Sequence, residues 1–391
     1  VGNTAISFAE LGINPELVRK LDSRSITEAT DIQRKVVPPI LRGEDVLFRS
    51  ATGTGKTFAY LLPLLQNLLI SPRSPLGPEM LICAPTYELC AQIKKEADFL
   101  LEGTGVKAAL LMGSANISRQ IDTLKKEKPR LVVGNPGRLN QLIRMGKLRF
   151  MDLRFLVLDE ADRLIAQELF SETAGLIERL PKNRCTIACS ATLNERQKDA
   201  LSRFMKGTAQ RQESEDNYIL RERIEHWAFF AEDRRKISTL RSFIHAVNPD
   251  KTLVFTEQTG QIGNIMAHLQ YHKIAAAGLF GDLAKQERKK ALDDFRTGRV
   301  RVLVTSDLGA RGLDVPDITH IVELDVPALP DSYAHRAGRT ARAGRHGVMA
   351  TIGNEKDLPR LAQLEKKLGI VVYPKALFRG HVVVPDVETT E

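Results

Sequence analysis

The feature that most constrains this chain is a rhythm that runs, stops and starts again. Short apolar runs alternate with longer amphipathic stretches. An apolar run without polar alternation fits a strand buried on both faces. Parallel strands of that kind need a crossover between them, usually a helix. In the first half the spacing predicts strands at Asp45–Arg49, Met80–Ala84, Leu131–Val133, Phe155–Leu158 and Thr186–Cys189, with helices at Phe58–Leu69, Tyr87–Leu101 and Gln167–Leu180. In the second half it predicts strands at Thr252–Phe255, Val300–Val304, His320–Leu324 and Val348–Ile352. Helices are expected there at Gln261–His272, Gln286–Phe295 and Leu358–Leu368.

This is an α/β pattern, two mostly parallel sheets flanked by helices. A chain of 391 residues is too long for one ordinary core. The two sets therefore read as domains over residues 1–206 and 223–391. The polar stretch 207–222, including Gln210 to Asn217, is the expected linker. Ser71–Pro78, with three prolines, reads as a surface loop. The segment Ile370–Val384 is β-rich and is expected to pack on the second domain or to bind a partner.

The net charge of +9 is spread over both halves and suits a polyanionic partner. The four cysteines (Cys83, Cys90, Cys185, Cys189) form no CxxC pair and have no histidines at zinc spacing. Most lie in apolar runs, as small core residues in a reducing compartment would. No apolar run approaches membrane-spanning length, and the start Val1-Gly2-Asn3 carries no signal-peptide pattern. The expected address is cytoplasmic, or an organelle if a targeting segment was cut away before Val1.

Ala51-Thr52-Gly53-Thr54-Gly55-Lys56-Thr57 sits between a predicted strand and a predicted helix, the context a phosphate-binding loop needs. The glycines let the backbone curl so that Thr52, Gly53, Thr54 and Gly55 offer N–H groups to phosphate oxygens. Lys56 reaches the terminal phosphates and the Thr57 hydroxyl ligates Mg²⁺. Ser50 stands at the loop's first position, where a glycine is usual. About a hundred residues on, an apolar strand delivers Asp159-Glu160-Ala161-Asp162 at its carboxyl end. Asp159 is placed to hold Mg²⁺ through water, and Glu160 to orient and deprotonate an attacking water.

That tetrapeptide and its companions resemble the DEAD-box ATP-dependent RNA helicases over nearly the whole chain, from about Phe8 to about Ile352. The resemblance implies two tandem RecA-like domains that bind ATP and Mg²⁺. Ala29-Thr30-Asp31-Ile32-Gln33 is similar to the family's adenine-reading motif, with Gln33 on the adenine edge and Phe8 stacked on the ring. Ser190-Ala191-Thr192 resembles the motif that couples hydrolysis to domain closure, a role shared with His335. The run Thr305 to Asp314 resembles the motif that places Asp314 on the ribose and Thr305 near RNA. His335-Arg336-Ala337-Gly338-Arg339-Thr340-Ala341-Arg342 resembles HRxGRxxR, with Arg339 and Arg342 as arginine fingers on the γ-phosphate.

The RNA-facing motifs depart from the family more than the nucleotide motifs do. RNA contacts are implied for Thr86, Tyr87, Gly137, Arg138, Arg288 and Thr305. Tyr87 stands where the family has Arg, Ser114 in place of a glycine, Asn135 in place of Thr, and Phe280 in place of His. Lys285 and Arg288 occupy the QxxR positions. The resemblance thus implies an RNA-stimulated ATPase that separates short duplexes or remodels RNA–protein complexes with little sequence specificity, acting as a monomer, with protein partners supplying targets. The alternatives are an ATP-gated RNA clamp with weak unwinding and a DNA-directed motor.

Overall fold

The structure is a computed structural model. It describes residues 6–50, 54–72, 77–191, 193–206, 209–213, 219–280, 283, 285–310, 315, 317–341 and 345–385. The chain divides into two compact units, Val1–Glu215 and Asp216–Glu391.

The first unit holds β1 (Val46–Arg49), β2 (Met80–Cys83), β3 (Ala108–Leu111), β4 (Leu131–Gly134), β5 (Phe155–Asp159), β6 (Cys185–Ser190) and β7 (Gln210–Glu213). They form one sheet in the order β3-β4-β2-β5-β6-β1-β7, and every pairing is parallel. The five strands expected here are all present. Strands β3 and β7 are not among the expected ones: β3 is a short apolar run, Ala-Ala-Leu-Leu, and β7 has no apolar run. Strand β7 lies inside the stretch expected to be linker and pairs along the length of β1. Its Gln-Arg-Gln-Glu sequence has no apolar pattern, because an edge strand is held by backbone hydrogen bonds alone.

The second unit holds β8 (Ile224–Phe230), β9 (Thr252–Phe255), β10 (Ala276–Leu279), β11 (Val302–Thr305), β12 (His320–Glu323), β13 (Gly347–Gly353), β14 (Val372–Phe378) and β15 (His381–Val383). The order is β10-β11-β9-β12-β13-β8-β14-β15, parallel except for the final hairpin. All four strands expected here are found. The segment 370–384 adds β14 and β15 to the sheet edge.

Each sheet is packed on both faces. In the first unit one face carries Val46, Phe48, Ile82 and Val157, and the other carries Leu47, Leu81, Leu156 and Ala188. In the second unit Leu253, Leu303 and Ile321 lie on one face, Val254, Val304 and Val322 on the other. Each fully buried aliphatic or aromatic side chain contributes about 1.5–3 kcal/mol. The four cysteines are free thiols within the first unit's interior, and burial pushes the Cys185 thiol up to about 12. Among the described residues no helix is long and apolar enough to cross a membrane.

Candidate nucleotide and RNA site

Parallel strands deliver their carboxyl ends to one side of a sheet, and the implied nucleotide residues of the first unit gather there. Strand β1 leads into the loop that ends at Gly55, whose φ of +87° is the left-handed geometry glycine permits. The helix Lys56–Ile70 starts directly after it. Lys56 Nζ donates to the Ser50 carbonyl at 2.8 Å. The Ser50 N–H in turn donates to the Ser190 carbonyl at 3.0 Å, joining the loop to the end of β6.

Gln33 is also drawn to this loop. It lies in the first turn of the helix Asp31–Leu41, where its Oε1 accepts the Thr30 N–H at 2.9 Å. Its Nε2 donates to the Gly55 carbonyl at 3.1 Å, and the Thr30 hydroxyl donates to the Thr54 carbonyl at 2.8 Å. A Cβ at Gly55 would sit 2.4 Å from Gln33 Nε2, so the close approach requires glycine. The Gln33 amide keeps a second N–H and a second lone pair for an adenine edge. Phe8 is packed within the core, 1% exposed, with no ring face open to solvent.

Asp159 ends β5 and is 4% exposed. Tyr60 OH donates to its Oδ2 at 2.8 Å, while the Glu160 N–H (2.8 Å) and the Cys189 thiol (3.2 Å) donate to Oδ1. Burial, then the Asp159 charge, raises the Tyr60 phenol well above its ordinary value, so it stays protonated and donating. Neither Tyr60 nor Cys189 carries a site signal in the sequence, where Cys189 reads only as a small core residue. Tyr60 lies one turn after Lys56 on the same helix face, and Cys189 is the register partner of Asp159 across β5 and β6. Glu160 adopts φ +50° at the start of the short helix Ala161–Leu164, and Arg163 holds its Oε2 at 2.9 Å. Non-glycine residues adopt that geometry rarely, at about 1–3 kcal/mol, and such positions cluster at functional sites.

Several implied RNA contacts are placed by the fold in other work. Arg138 is 7% exposed, and its guanidinium donates to the carbonyls of Gly113 (2.8 Å) and Ala115 (3.1 Å). It holds the loop after β3, so no open guanidinium is offered there. A Cβ on neighbouring Gly137 would lie 2.9 Å from Glu172. Thr86 caps the helix Tyr87–Leu101, accepting the Leu89 N–H at 3.3 Å, and Tyr87 stands 43% exposed at that helix start.

In the second unit Arg288 donates to the Gly309 carbonyl at 3.0 Å, and Thr305 is fully buried beneath that turn. Phe255, Asp307, Ala310, Ser332, His335, Arg336 and Arg339 line a cavity of about 90 Å³. At its base lies Arg336, 1% exposed, to which the family resemblance assigns no role. It makes a bidentate pair with Asp307 (2.7 and 2.8 Å) and donates to Glu323 Oε2 (3.1 Å) and the Asp325 carbonyl (2.6 Å). Burial works against this charge, but Asp307 and Glu323 outweigh it and hold the guanidinium above its already high value. Burial pushes the Glu323 carboxyl up to about 7, although Arg336 and the Thr351 hydroxyl pull it down. Thr52, Gly53, Thr192, Asp314 and Arg342 lie outside the described residues.

A phosphate loop on one parallel sheet and a buried arginine motif on another define a two-unit nucleotide-dependent motor of the RecA-like class. The DEAD/DEAH box helicase profile matches residues 30–200, and the helicase conserved C-terminal domain profile matches residues 235–344. The DEAD-box ATP-dependent RNA helicase CshC of Bacillus cereus is 35% identical over 372 residues, covering 95% of this chain and 94% of the relative. The ATP-dependent RNA helicase CshA of Limosilactobacillus reuteri is 33% identical, covering 96% and 76%. Among solved structures, S. cerevisiae Dbp5 bound to RNA and ADP BeF3 is similar with a TM-score of 0.81 at 26% identity, covering 94% of this chain and 95% of that one. Mss116p bound to ssRNA and AMP-PNP gives 0.82 at 26%, covering 95% and 80%. The chain belongs to the DEAD-box family of ATP-dependent RNA helicases.

Proposed function

We propose that ATP binds at the loop ending in Gly55-Lys56-Thr57 and is hydrolysed by water attack on its γ-phosphorus, with the work directed at short RNA duplexes or RNA–protein complexes. The observation that carries this is Asp159. It is a buried carboxylate with three neutral donors and, among the described residues, no cation within ion-pair distance. Hard oxygen donors from Asp159 and the Thr57 hydroxyl fit Mg²⁺, which keeps waters and phosphate oxygens as its other ligands. When bound, the metal neutralises charge on the phosphates. Lys56 exchanges its Ser50 carbonyl partner for phosphate oxygens. Glu160 orients and accepts a proton from the attacking water once Arg163 releases it. Gln33 reads the adenine edge and, through Gly55, links that reading to the phosphate loop. Arg339 and Arg342 serve the γ-phosphate, and Asp314 the ribose. Ser190 and Thr192 couple the loop to the rest of the cycle.

The RNA grip in this reading is altered. Tyr87 donates its hydroxyl to a phosphate or stacks on a base, and Arg138 acts by holding the loop at Gly113. Exposed Tyr87 also favours a second reading, an ATP-gated clamp that unwinds weakly. The protein is taken to work as a cytoplasmic monomer that receives its targets from partners. Steady-state ATPase with and without single-stranded RNA, with Glu160→Gln as control, tests the assignment. RNA stimulation abolished by the control supports it. ATP binding with negligible turnover in both conditions moves the function to the clamp.

A further inference from the structure

The outer edge of the second unit carries a surface that none of the motifs uses. Strands β14 and β15 are joined by Arg379-Gly380, with Phe378 paired to His381. Both turn residues have positive φ, +49° and +80°. A two-residue turn of that kind favours Asn-Gly or Gly-Gly, so a long cation at its first position is unexpected on backbone grounds. Leu377 and Val382 point inward against the core around Phe243. Tyr373 and Phe378 remain 50% and 59% exposed.

Cations interleave with these rings. The Lys375 ammonium lies 5.6 Å from the Trp227 ring and 6.0 Å from that of Tyr373, and the Arg379 guanidinium lies 5.1 Å from that of Phe378. Arg379, Arg241, His245 and His272 line a cleft of about 440 Å³ beside the hairpin. Arg241 donates to His272 Nε2 at 3.0 Å. Among the described residues no carboxylate pairs with Lys375, Arg379, Arg241, His245 or His272. By contrast, Arg296 and Arg299 elsewhere in this unit are met by Asp293 and Asp294. Lys375, Arg379 and Arg241, cations that meet no carboxylate among the described residues, stand with exposed aromatic rings, the composition that binds single-stranded nucleic acid. Phosphates meet the charges and bases stack on the rings.

The strand register fixes where this surface lies. Thr305, Phe255, Glu323, Thr351, Ala228 and Pro374 stand level across the parallel strands. Strand β14 keeps register with β8 only as far as Lys375; beyond it the hairpin folds over the helix Lys236–Val247, so that Arg379 and Gly380 share the cleft with His245 and Ala246 near that helix's end. Five strand spacings separate β11 from β14, about 24 Å. We propose that the β14–β15 hairpin, with Arg241 and His245 beside it, is a second RNA-contact surface, reached only by a single-stranded segment that extends beyond the one held at the Thr305 turn. The proposal rests on RNA being the polymer this family member acts on.

The test uses the full chain and two probes, a short oligouridylate and the same oligomer with a single-stranded extension. The variant Lys375→Gln/Arg379→Asn removes two cations, and Asn keeps the left-handed turn. Phe378→Ser removes the exposed ring alone. For each variant, affinity for the extended RNA is expected to fall about tenfold. In the double variant the log–log salt dependence should flatten by about 1.4 units. The ATPase rate at saturating short RNA should stay within about twofold of the parent. Equal losses on both probes, or no loss on the extended one, would overturn the proposal. The latter result would leave the hairpin as a protein-docking edge. If neither RNA stimulates the parent protein, the RNA-stimulated ATPase reading itself has failed, and the proposal with it.

Discussion

Two buried charges organise this molecule, and they are handled in opposite ways. Asp159 in the first unit is surrounded by neutral donors: a phenol, a thiol and a backbone N–H. Arg336 in the second is surrounded by the carboxylates of Asp307 and Glu323, with Glu257 at 3.5 Å. A buried charge held by neutral donors is fixed in place yet still has its charge to offer a ligand. A buried charge met by opposite charges is internally neutralised and works as a clamp. This criterion supports the proposed role of Asp159 in meeting a cation and gives Arg336 the task of holding elements together, although both belong to recognisable motifs. The clamp joins the turn at Asp307, the strand end at Glu323 and the helix Pro330–Ala337, which leads into Arg339. Arg336 is thus a positioning residue for Arg339.

The largest separation should come from Asp159→Asn. The amide keeps the size and one acceptor oxygen for the Glu160 and Cys189 donors, and its NH2 can donate to the Tyr60 hydroxyl, but the charge is lost. A metal supplies several kcal/mol of charge stabilisation, so kcat should fall by roughly a hundredfold or more. The chemical-denaturation midpoint should barely move. A folded variant with near-normal turnover would break the assignment of Asp159 as the ligand-facing charge.

Arg336→Met should show the reverse pattern. Removing one partner of a buried ion pair leaves Asp307 and Glu323 uncompensated, which costs about 3–5 kcal/mol. Urea denaturation should show an early transition in this variant. If the loss is below about 1 kcal/mol, the clamp reading fails.

Both roles were only partly legible in the sequence. Strands β1, β2, β4, β5 and β6 announce themselves because strands buried on both faces must be apolar, and the loops at their carboxyl ends follow. Strand β7 does not, since an edge held by backbone pairing leaves no side-chain pattern. Tyr60 and Cys189 become partners of Asp159 only through helix phase and the Asp159–Cys189 register. The motif run His335–Arg342 identifies a cationic cluster, but not which arginine faces inward. That depends on Glu323 and Asp307, 13 and 29 residues away. Arg138 shows the same limit, since its motif is readable while its burial is not.

The clamp also carries a pH signature. Glu323 titrates near 7 in the folded unit, above its ordinary 4.5, because burial favours the neutral acid. The folded state therefore binds more protons than the unfolded state between about 4.5 and 7. Its contribution to stability is full below 4.5 and is lost as pH rises through 7. Glu323→Gln should remove this dependence, worth at most a few kcal/mol. Denaturation midpoints taken from pH 5 to pH 8 should fall less steeply in the variant than in the parent. Equal slopes would show that Glu323 is already ionised at pH 5.

The smallest effect tests the neutral side of the comparison. Tyr60→Phe removes one donor to Asp159 and the phenol's hydrogen bond with the Thr57 hydroxyl, while the ring stays in the core and Oδ1 keeps its two partners. Deleting one hydrogen bond to a buried charge costs about 1.5–3 kcal/mol when nothing replaces it. At Asp159 a metal can replace it. The ATP·Mg²⁺-bound variant should then recover part of the stability that the nucleotide-free variant loses. Thermal melts of parent and variant, with and without ATP and Mg²⁺, measure this directly. A deficit in the variant that is the same in both conditions would mean that Asp159 does not exchange its neutral donors for a cation, and the contrast with Arg336 would collapse into two structural charges.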